Sequence, residues 1–238
     1  GVDQSPEMLR IAKERLAQLK PEIAGHLSFL EAEIIEPISL SDDTYDVAIS
    51  MGVIGYIPED GQLLSIASRV LKPNGKFFVS CRNRLFNMVS FSERTKEEIR
   101  TNNALKLLDE IEELYQSIPA DQSRAFLCAI NTVSGSILQD WNITQGVNQP
   151  PSQLIIDSEI IPIEPRQHTP REIEAVASDF GFKVDSFVGI HPHLLDPRIN
   201  RLLPPGVYNN LCSAAETLET SPISLIWSSV FIATLKRM

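Results

Sequence analysis

The 238-residue sequence has no excess of basic residues, and this bears on its partners. Its formal net charge at pH 7 is −10, and its pI is near 4.9. Proteins that bind nucleic acids draw most of their affinity from basic groups that neutralise phosphates. We therefore expect no nucleic-acid partner.

Cysteines and long apolar runs are also scarce. The three cysteines, Cys81, Cys128 and Cys212, are far apart and form no Cys-x-x-Cys pair. This pattern favours buried thiols in the reducing cytoplasm, without a disulfide or a zinc site. The longest apolar stretch, Leu225 to Leu235, is broken by serine and threonine and is shorter than the about 20 residues that cross a bilayer. We expect a cytoplasmic protein with no membrane partner and no bound metal.

Strand and helix patterns alternate over residues 1–82. The chain begins with what resembles the end of a strand, and a helix follows with Ser5 as its N-cap and Pro6 in its first turn. The nearly continuous apolar run Tyr45 to Met51 is typical of a parallel strand buried on both faces. A helix over 58–71 and a strand over 76–81 come next. The alternation predicts an α/β fold with a doubly wound, mostly parallel sheet.

The pattern changes after residue 82. Long helical patterns over 95–117 and 122–140 predict that residues 83–166 form a helical insertion or lid. The sheet domain would then consist of residues 1–82 and 167–238.

The last part of the chain is expected to complete the sheet. Thr169 opens a helix with a proline in its first turn, and Gly181 closes that helix. Apolar runs over 182–189 and 225–235 predict two final strands.

Three segments, in order along the chain, resemble the class I S-adenosylmethionine-dependent methyltransferases: Gly1–Leu9, Tyr45–Ile54 and Arg69–Phe77. They resemble the family's second strand and helix, its fourth strand and following loop, and its turn into the fifth strand. Asn74 stands where that turn has its first glycine, and asparagine also accepts turn conformations. The resemblance implies a Rossmann-like sheet with an antiparallel last strand, S-adenosylmethionine as cofactor and a small-molecule methyl acceptor.

Ligands of open α/β sheets bind at the carboxyl ends of the strands. By the resemblance, the cofactor-binding residues there are Asp3, Gln4, Glu33, Ile34, Met51 and Gly52. Asp3 would accept hydrogen bonds from the ribose hydroxyls, although it could instead cap the first helix. Glu33 would accept from the adenine amine, although it could be a solvated loop charge. Gly52 would let the backbone approach the methionyl part closely.

Residues beyond the fourth and fifth strands are the candidates for acceptor binding: Tyr56, Arg82 and Asn83. The aromatic face of Tyr56 would favour the sulfonium by roughly 0.5–2 kcal/mol. An unperturbed histidine titrates near about pH 6.5, so a histidine is a suitable general base for an oxygen or nitrogen acceptor. The candidate bases are His168, His191 and His193.

The family's glycine-rich loop, G-x-G-x-G, has no counterpart in this sequence, whose eleven glycines are scattered. That loop follows the first strand and lies against the cofactor. The simplest hypothesis is an N-terminally truncated chain in which the first strand, its loop and the first helix are missing. Two sheet edges would then be unpaired, so we expect the isolated chain to be poorly stable and to bind cofactor weakly or not at all.

The expected activity is methyl transfer to an oxygen or nitrogen atom of a small molecule. The segments over 82–87 and 190–193 resemble methyltransferases that act on sugars or polysaccharide precursors. One alternative is a degenerate or truncated partner that keeps the fold without catalysis. Another is a nicotinamide-dependent oxidoreductase, which shares the sheet and the acidic ribose ligand. An antiparallel last strand would favour methyl transfer, and an all-parallel sheet would favour the oxidoreductase.

Overall fold

The computed structural model describes residues 1–34, 38–90, 92–125, 128, 165–194, 203–216, 218 and 221–238. Its strands are β1 (Val2–Asp3), β2 (Leu30–Glu31), β3 (Tyr45–Ser50), β4 (Leu71–Arg82), β5 (Phe182–Pro192) and β6 (Ser228–Arg237). Its helices are α1 (Pro6–Leu16), α2 (Pro21–Ala24), α3 (Asp60–Val70), α4 (Glu93–Arg100), α5 (Ala104–Gln116), α6 (Pro170–Asp179), α7 (Pro205–Glu216) and α8 (Ser224–Trp227). Two 3-10 turns span Ile54–Tyr56 and Leu85–Met88.

The strands form two sheets. β1 and β2 pair in parallel, and the larger sheet has the order β3-β4-β6-β5. β3 and β4 are parallel, whereas β6 lies between β4 and β5 and is antiparallel to both. Strands β3, β4 and β5 therefore share one direction. This topology confirms the predicted α/β fold with an antiparallel last strand, and it favours methyl transfer over the oxidoreductase.

The main core lies where α3 and α6 pack against one face of β4 and β6. Its buried residues from these four elements are Leu63, Leu64, Ala67, Leu71, Phe77, Val79, Cys81, Ile173, Ala177, Phe231, Ala233 and Leu235. The three from β6 recur at every second residue, as a strand with one buried face requires. Burial raises the pKa of the Cys81 thiol, which suits a packing role. The core thus anchors the carboxyl ends of β3 and β4.

The other face of β3 is open in the described part of the chain. Tyr45, Val47 and Ile49 alternate along the strand and are exposed, Ile49 by 68%. Ala48 packs against the main core, and Ser50 is buried. The prediction that this strand is buried on both faces is therefore wrong for the described residues, because none of their helices covers the second face.

Two turn predictions are confirmed by the backbone. The register between β3 and β4 moves from Tyr45 opposite Leu71 to Val47 opposite Lys76, so residues 72–75 bulge out of the strand. Asn74 in this bulge has a φ of 68°, which is the left-handed conformation that asparagine tolerates. Gly181, with a φ of 76°, follows the end of α6 as predicted.

The helix start signals also hold. The side chain of Ser5 accepts a hydrogen bond from the Met8 amide at the start of α1. Thr169 and Glu172 form a reciprocal capping box at the start of α6. Each signal depends on atoms within three residues, which explains why the sequence alone reveals it.

Other boundaries differ from the prediction. The helical pattern over 95–117 is divided into α4 and α5, because Asn102 adopts a positive φ of 62° between them. The apolar stretch that begins at Leu225 starts with the helical turn α8 before β6. Most of the predicted helix over 122–140 lies outside the described residues. The division into 1–82, 83–166 and 167–238 stays a prediction.

No described helix is long and apolar enough to span a membrane. None of Cys81, Cys128 and Cys212 forms a disulfide with a described residue. Cys81 is buried, whereas Cys128 is exposed, so the prediction of buried thiols is wrong for Cys128. The cytoplasmic location stays a prediction.

Candidate functional site

A cleft of about 360 Å³ opens at the carboxyl ends of β1, β2 and β3. Its lining includes Asp3, Gln4, Ile34, Gly52, Val53, Tyr56, Ile57 and Pro58. Five of the residues predicted to bind cofactor or acceptor are thus brought together: Asp3, Gln4, Ile34, Gly52 and Tyr56. We refer to this cavity as the cofactor cleft. Its position agrees with the rule that ligands bind where parallel strands end.

The carboxylate of Asp3 is held in a defined orientation. Its Oδ1 accepts a hydrogen bond of 2.8 Å from the Ser5 amide, at the entrance of α1. Its Oδ2 makes no hydrogen bond to any residue that the structure describes. The two roles considered for Asp3 are therefore compatible. One oxygen caps the chain before α1, and the other is available to a hydroxyl donor in the cleft.

Gly52 forms the wall of the cleft after β3. It adopts a φ of 72°, a region that costs other residues about 1–2 kcal/mol. Its amide donates a 2.7 Å hydrogen bond to the hydroxyl of Ser80, which ties the loop to β4. A β-carbon at Gly52 would have no atom of the described residues within 4 Å. A ligand can therefore approach the main chain closely here.

The turn Ile54–Tyr56 forms the next part of the wall, and we call residues 53–58 the cleft wall. Tyr56 lines the cleft and is 55% exposed. Arg166 lies alongside this turn, and its amide donates to the Gly55 carbonyl at 2.8 Å. The Arg166 guanidinium donates to the carbonyls of Ile54 at 3.1 Å and Ile57 at 2.6 Å. Arg166 thus donates hydrogen bonds to three carbonyls of the cleft wall without lining the cofactor cleft.

Asp60, at the first position of α3, joins Arg166 to a candidate base. Its carboxylate accepts a 2.5 Å hydrogen bond from Arg166 and 3.0 Å contacts from Nε2 of His168. Burial acts to raise the pKa of Asp60, but the hydrogen bonds and charges of His168 and Arg166 together lower it. Nδ1 of His168 is buried without a partner among the described residues. The carboxylate therefore orients the imidazole through Nε2.

A second cleft, of about 470 Å³, is lined by charged residues and includes Asp60, Arg166 and His168. We refer to it as the charged cleft. Its lining consists of Asp60, Arg84, Arg94, Glu98, Arg166, Gln167, His168 and Glu172. Arg84 donates to both carboxylate oxygens of Glu98, at 2.8 and 2.7 Å, and to Glu172 at 2.8 Å. Burial acts to raise the pKa of Glu98, and the hydrogen bonds from Arg84 and Asn87 lower it overall. These pairs connect α4 with α6 beside His168.

Sequence reasoning missed Asp60, Arg166, Arg84 and Glu98. Asp60 lies more than a hundred positions from its partners, Arg166 and His168. No local motif joins such distant residues. The only local signal was the position of Arg84, just beyond the end of β4.

Glu33 and Met51 belong to segments next to the cofactor cleft but do not line it. Both are exposed, and Glu33 lies in the loop two residues beyond the end of β2. Arg82 ends β4 with an exposed side chain that lines neither cleft. The roles predicted for these three residues stay predictions.

Asn83 was predicted to contact the methyl acceptor, but its side chain is fully buried. Its amide nitrogen donates to the carbonyls of Ser228, at 2.7 Å, and Leu225. Its amide oxygen accepts a 3.0 Å hydrogen bond from the Leu85 amide. The side chain thus satisfies main-chain groups where β4, α8 and β6 meet, and its polar atoms are used for the fold.

The three candidate bases are placed differently. His168 lines the charged cleft beside Asp60. The ring of His193 lies 5.7 Å from that of Phe86, and its amide donates to the Trp227 carbonyl, so it lines neither cleft. His191 belongs to β5, but its side chain lies outside the described part of the structure. His168 has a described carboxylate partner, Asp60.

Comparisons with known proteins point to one family. A methyltransferase domain family matches residues 1–141. Two ubiquinone biosynthesis O-methyltransferases are similar in sequence. The one from Vibrio atlanticus is 28% identical over 92 residues, which are 39% of this chain and 37% of that protein. The one from Photobacterium profundum is 30% identical over 84 residues, 35% of this chain and 34% of that protein.

The matched stretch thus spans about a third of the length of these curated relatives. Among solved structures, an S-adenosylmethionine dependent methyltransferase from Mesorhizobium loti aligns with a TM-score of 0.47 and 15% identity. That alignment covers 100% of this chain and 79% of the other.

Proposed function

The chain belongs to the methyltransferase domain family, and on that premise we propose that it transfers a methyl group from S-adenosylmethionine to an oxygen atom of a small molecule. Family membership confirms the predicted resemblance to class I methyltransferases and, with it, S-adenosylmethionine as the cofactor. The choice of acceptor is supported by separate observations.

The proposal depends mainly on one observation, the arrangement of Asp3 and Gly52 around a single cleft. The available oxygen of Asp3 suits a ribose hydroxyl, and a hydrogen bond to a charged group contributes about 1.5–3 kcal/mol. The open main chain at Gly52 suits a ligand that lies against the backbone. Ile34 adds apolar surface on the side of the cleft formed after β2, where an adenine ring would pack.

When bound, S-adenosylmethionine supplies an electrophilic methyl group, which an acceptor oxygen attacks as the carbon–sulfur bond breaks. The contribution of the protein is alignment and the exclusion of water, and alignment is worth up to about 7–11 kcal/mol. Tyr56 lies at the rim of the cofactor cleft, where its ring would favour the cationic sulfur by roughly 0.5–2 kcal/mol. His168, which Asp60 orients, would take the proton of the acceptor hydroxyl, provided that the acceptor extends into the charged cleft that His168 lines.

Two observations support an oxygen acceptor. Both curated relatives are named O-methyltransferases. A hydroxyl also requires a base as it is methylated, and the contacts of His168 with Asp60 support His168 in that role. Residues 82–87 and 190–193 support a sugar or polysaccharide precursor as the acceptor class, through the resemblance noted above.

The first test measures binding of S-adenosylhomocysteine to the full-length protein by isothermal titration calorimetry. We expect Asp3→Asn to weaken binding about tenfold, since loss of a charged hydrogen bond costs about 1.4 kcal/mol or more. Asp46→Asn is the control, because Asp46 is an exposed aspartate of the larger sheet that pairs with Lys72 and does not line the cofactor cleft. Equal affinities of the wild type and Asp3→Asn would contradict the proposal.

The second test measures catalysis. The full-length protein is incubated with S-adenosylmethionine and pools of sugars, phenols and amines, and products that gain one CH2 unit are sought by mass spectrometry. Methylated hydroxyl compounds are expected. A protein that binds S-adenosylhomocysteine tightly but methylates nothing in these pools would support the non-catalytic partner instead.

A further inference from the structure

The cleft wall at 53–58 has few main-chain hydrogen bonds of its own. Within it, Tyr56 donates to Val53 at 2.9 Å, and Ile57 donates to Ile54 at 3.3 Å. The carbonyls of Ile54 and Ile57 receive further hydrogen bonds from the Arg166 guanidinium. A carbonyl withdrawn from water without a donor costs about 1–3 kcal/mol, so these contacts matter for the conformation of the wall.

We propose that Arg166 is a positioning residue, which holds the cleft wall in the conformation that binds the cofactor. Its guanidinium can do this because it has five N–H donors in a planar fork. Nε donates to Ile57 at 3.0 Å, while Nη2 donates to Ile54, Ile57 and Asp60. One side chain thereby joins both ends of the turn to the start of α3.

Asp60 anchors the guanidinium in turn. The Asp60 side chain is 16% exposed and is itself held by the imidazole of His168. The His168 amide donates a hydrogen bond to the Arg82 carbonyl, and the Arg84 amide donates one to the His168 carbonyl, so His168 is attached to the end of β4. The contacts thus run from the sheet through His168 and Asp60 to Arg166, and from there to the wall. A movable lysine ammonium lacks the fork and would hold fewer of these acceptors.

The main chain confirms how closely Arg166 approaches the wall. A β-carbon at Gly55 would lie 2.8 Å from the Arg166 carbonyl oxygen. Only glycine fits at this position without displacing the backbone. The inference that Arg166 controls cofactor affinity rests on the proposed function. The inference that Arg166 holds the cleft wall does not.

The experiment compares Arg166→Gln and Arg166→Lys with a matched control, Arg69→Gln. Arg69 also donates to two loop carbonyls, Leu40 at 2.6 Å and Ile38 at 2.8 Å, and pairs with Asp42. Its side chain is 36% exposed, against 39% for Arg166, but it holds a loop that does not line the cleft. A general loss of stability should therefore affect both glutamine variants alike.

The first readout is amide hydrogen exchange of the ligand-free protein. We expect the amides of residues 53–57 to exchange at least about tenfold faster in Arg166→Gln, with an intermediate effect in Arg166→Lys. Arg69→Gln should leave these amides unchanged. Unchanged exchange in Arg166→Gln would overturn the positioning role, whatever the protein binds.

The second readout is the dissociation constant for S-adenosylhomocysteine. We expect it to rise about tenfold in Arg166→Gln, to rise less in Arg166→Lys and to stay within about twofold in Arg69→Gln. Wild-type affinity in Arg166→Gln would overturn the link between the wall and the cofactor. Absence of binding by the wild-type protein would instead contradict the proposed function, and the exchange measurement would still decide the role of Arg166.

Discussion

Replacement of Asp60 by asparagine tests the charged network most directly. In the wild type, this carboxylate accepts hydrogen bonds from Arg166 and from Nε2 of His168. Asparagine has nearly the same shape but no charge, and only one acceptor oxygen. The Asp60→Asn variant would therefore keep one hydrogen bond, lose the other and leave the guanidinium without its counter-charge.

The size of the effect follows from burial. A hydrogen bond to a charged group contributes about 1.5–3 kcal/mol. Asp60 is 16% exposed, but Arg166 is 39% exposed, so solvent screens part of their attraction. We therefore expect the free energy of unfolding at pH 7 to fall by about 1–2 kcal/mol.

The effect should depend on pH in a defined direction. Burial acts to raise the pKa of Asp60, but the contacts with His168 and Arg166 lower it in the folded protein. The stabilisation is thus fully present above the unfolded pKa of about 3.9, and it disappears as the pH falls through the lower, folded-state pKa. The difference between wild type and Asp60→Asn should therefore shrink below about pH 4.

Urea unfolding of both proteins between pH 7 and pH 3 provides the measurement. Asp46→Asn serves as a control, because its exposed pair with Lys72 should contribute less than about 1 kcal/mol. The reasoning would be refuted if Asp60→Asn were as stable as the wild type at pH 7. It would also be refuted if the difference stayed constant through the acid range.

Three further predictions concern single residues. Gly52→Ala should lower stability by about 1–2 kcal/mol through its positive φ and also weaken S-adenosylhomocysteine binding, because its methyl group enters the cleft. Gly181 has a similar positive φ but lies far from the cleft, so Gly181→Ala should lower stability without changing S-adenosylhomocysteine affinity. Calorimetry measures the affinity of both variants, and equal affinities of Gly52→Ala and Gly181→Ala would contradict this prediction. Asn83→Ala should lower the free energy of unfolding by about 2 kcal/mol or more in urea, without changing S-adenosylhomocysteine affinity, because buried carbonyls lose their donor. His168→Gln should lower kcat for a hydroxyl acceptor by at least about a hundredfold at saturating S-adenosylmethionine, and an unchanged single-turnover rate under these conditions would exclude His168 as the base.

Much of the fold could be predicted because it depends on local chemistry. The caps at Ser5 and Thr169, the turn at Asn74 and the helix end at Gly181 all involve neighbours within a few residues. Alternating and continuous apolar runs located the long strands. The antiparallel last strand was not derivable from these patterns and came from the family resemblance.

The candidate site was partly predictable for a related reason. Parallel strands that pair with each other end at one edge of a sheet, so the residues at the ends of β1 and β2 lie together. β3 belongs to the larger sheet, and its place beside them was implied by the family resemblance. Asp3, Gln4, Ile34 and Gly52 line one cleft.

Asn83 shows where this reasoning stops. A polar residue after a strand can face a ligand or the interior, and the sequence does not distinguish the two. The outcome depends on the carbonyls of Leu225 and Ser228, which α8 and β6 bring to it from more than 140 positions away.

The amino-acid sequence by itself determined the helix caps, the turns and most of the long strands, because these follow from interactions between close neighbours. Only the tertiary structure decided that Arg166 holds the cleft wall, that Asp60 joins it to His168 and that one face of β3 is open. Such contacts connect segments whose approach is set by the packing of the whole core, and no local pattern encodes them.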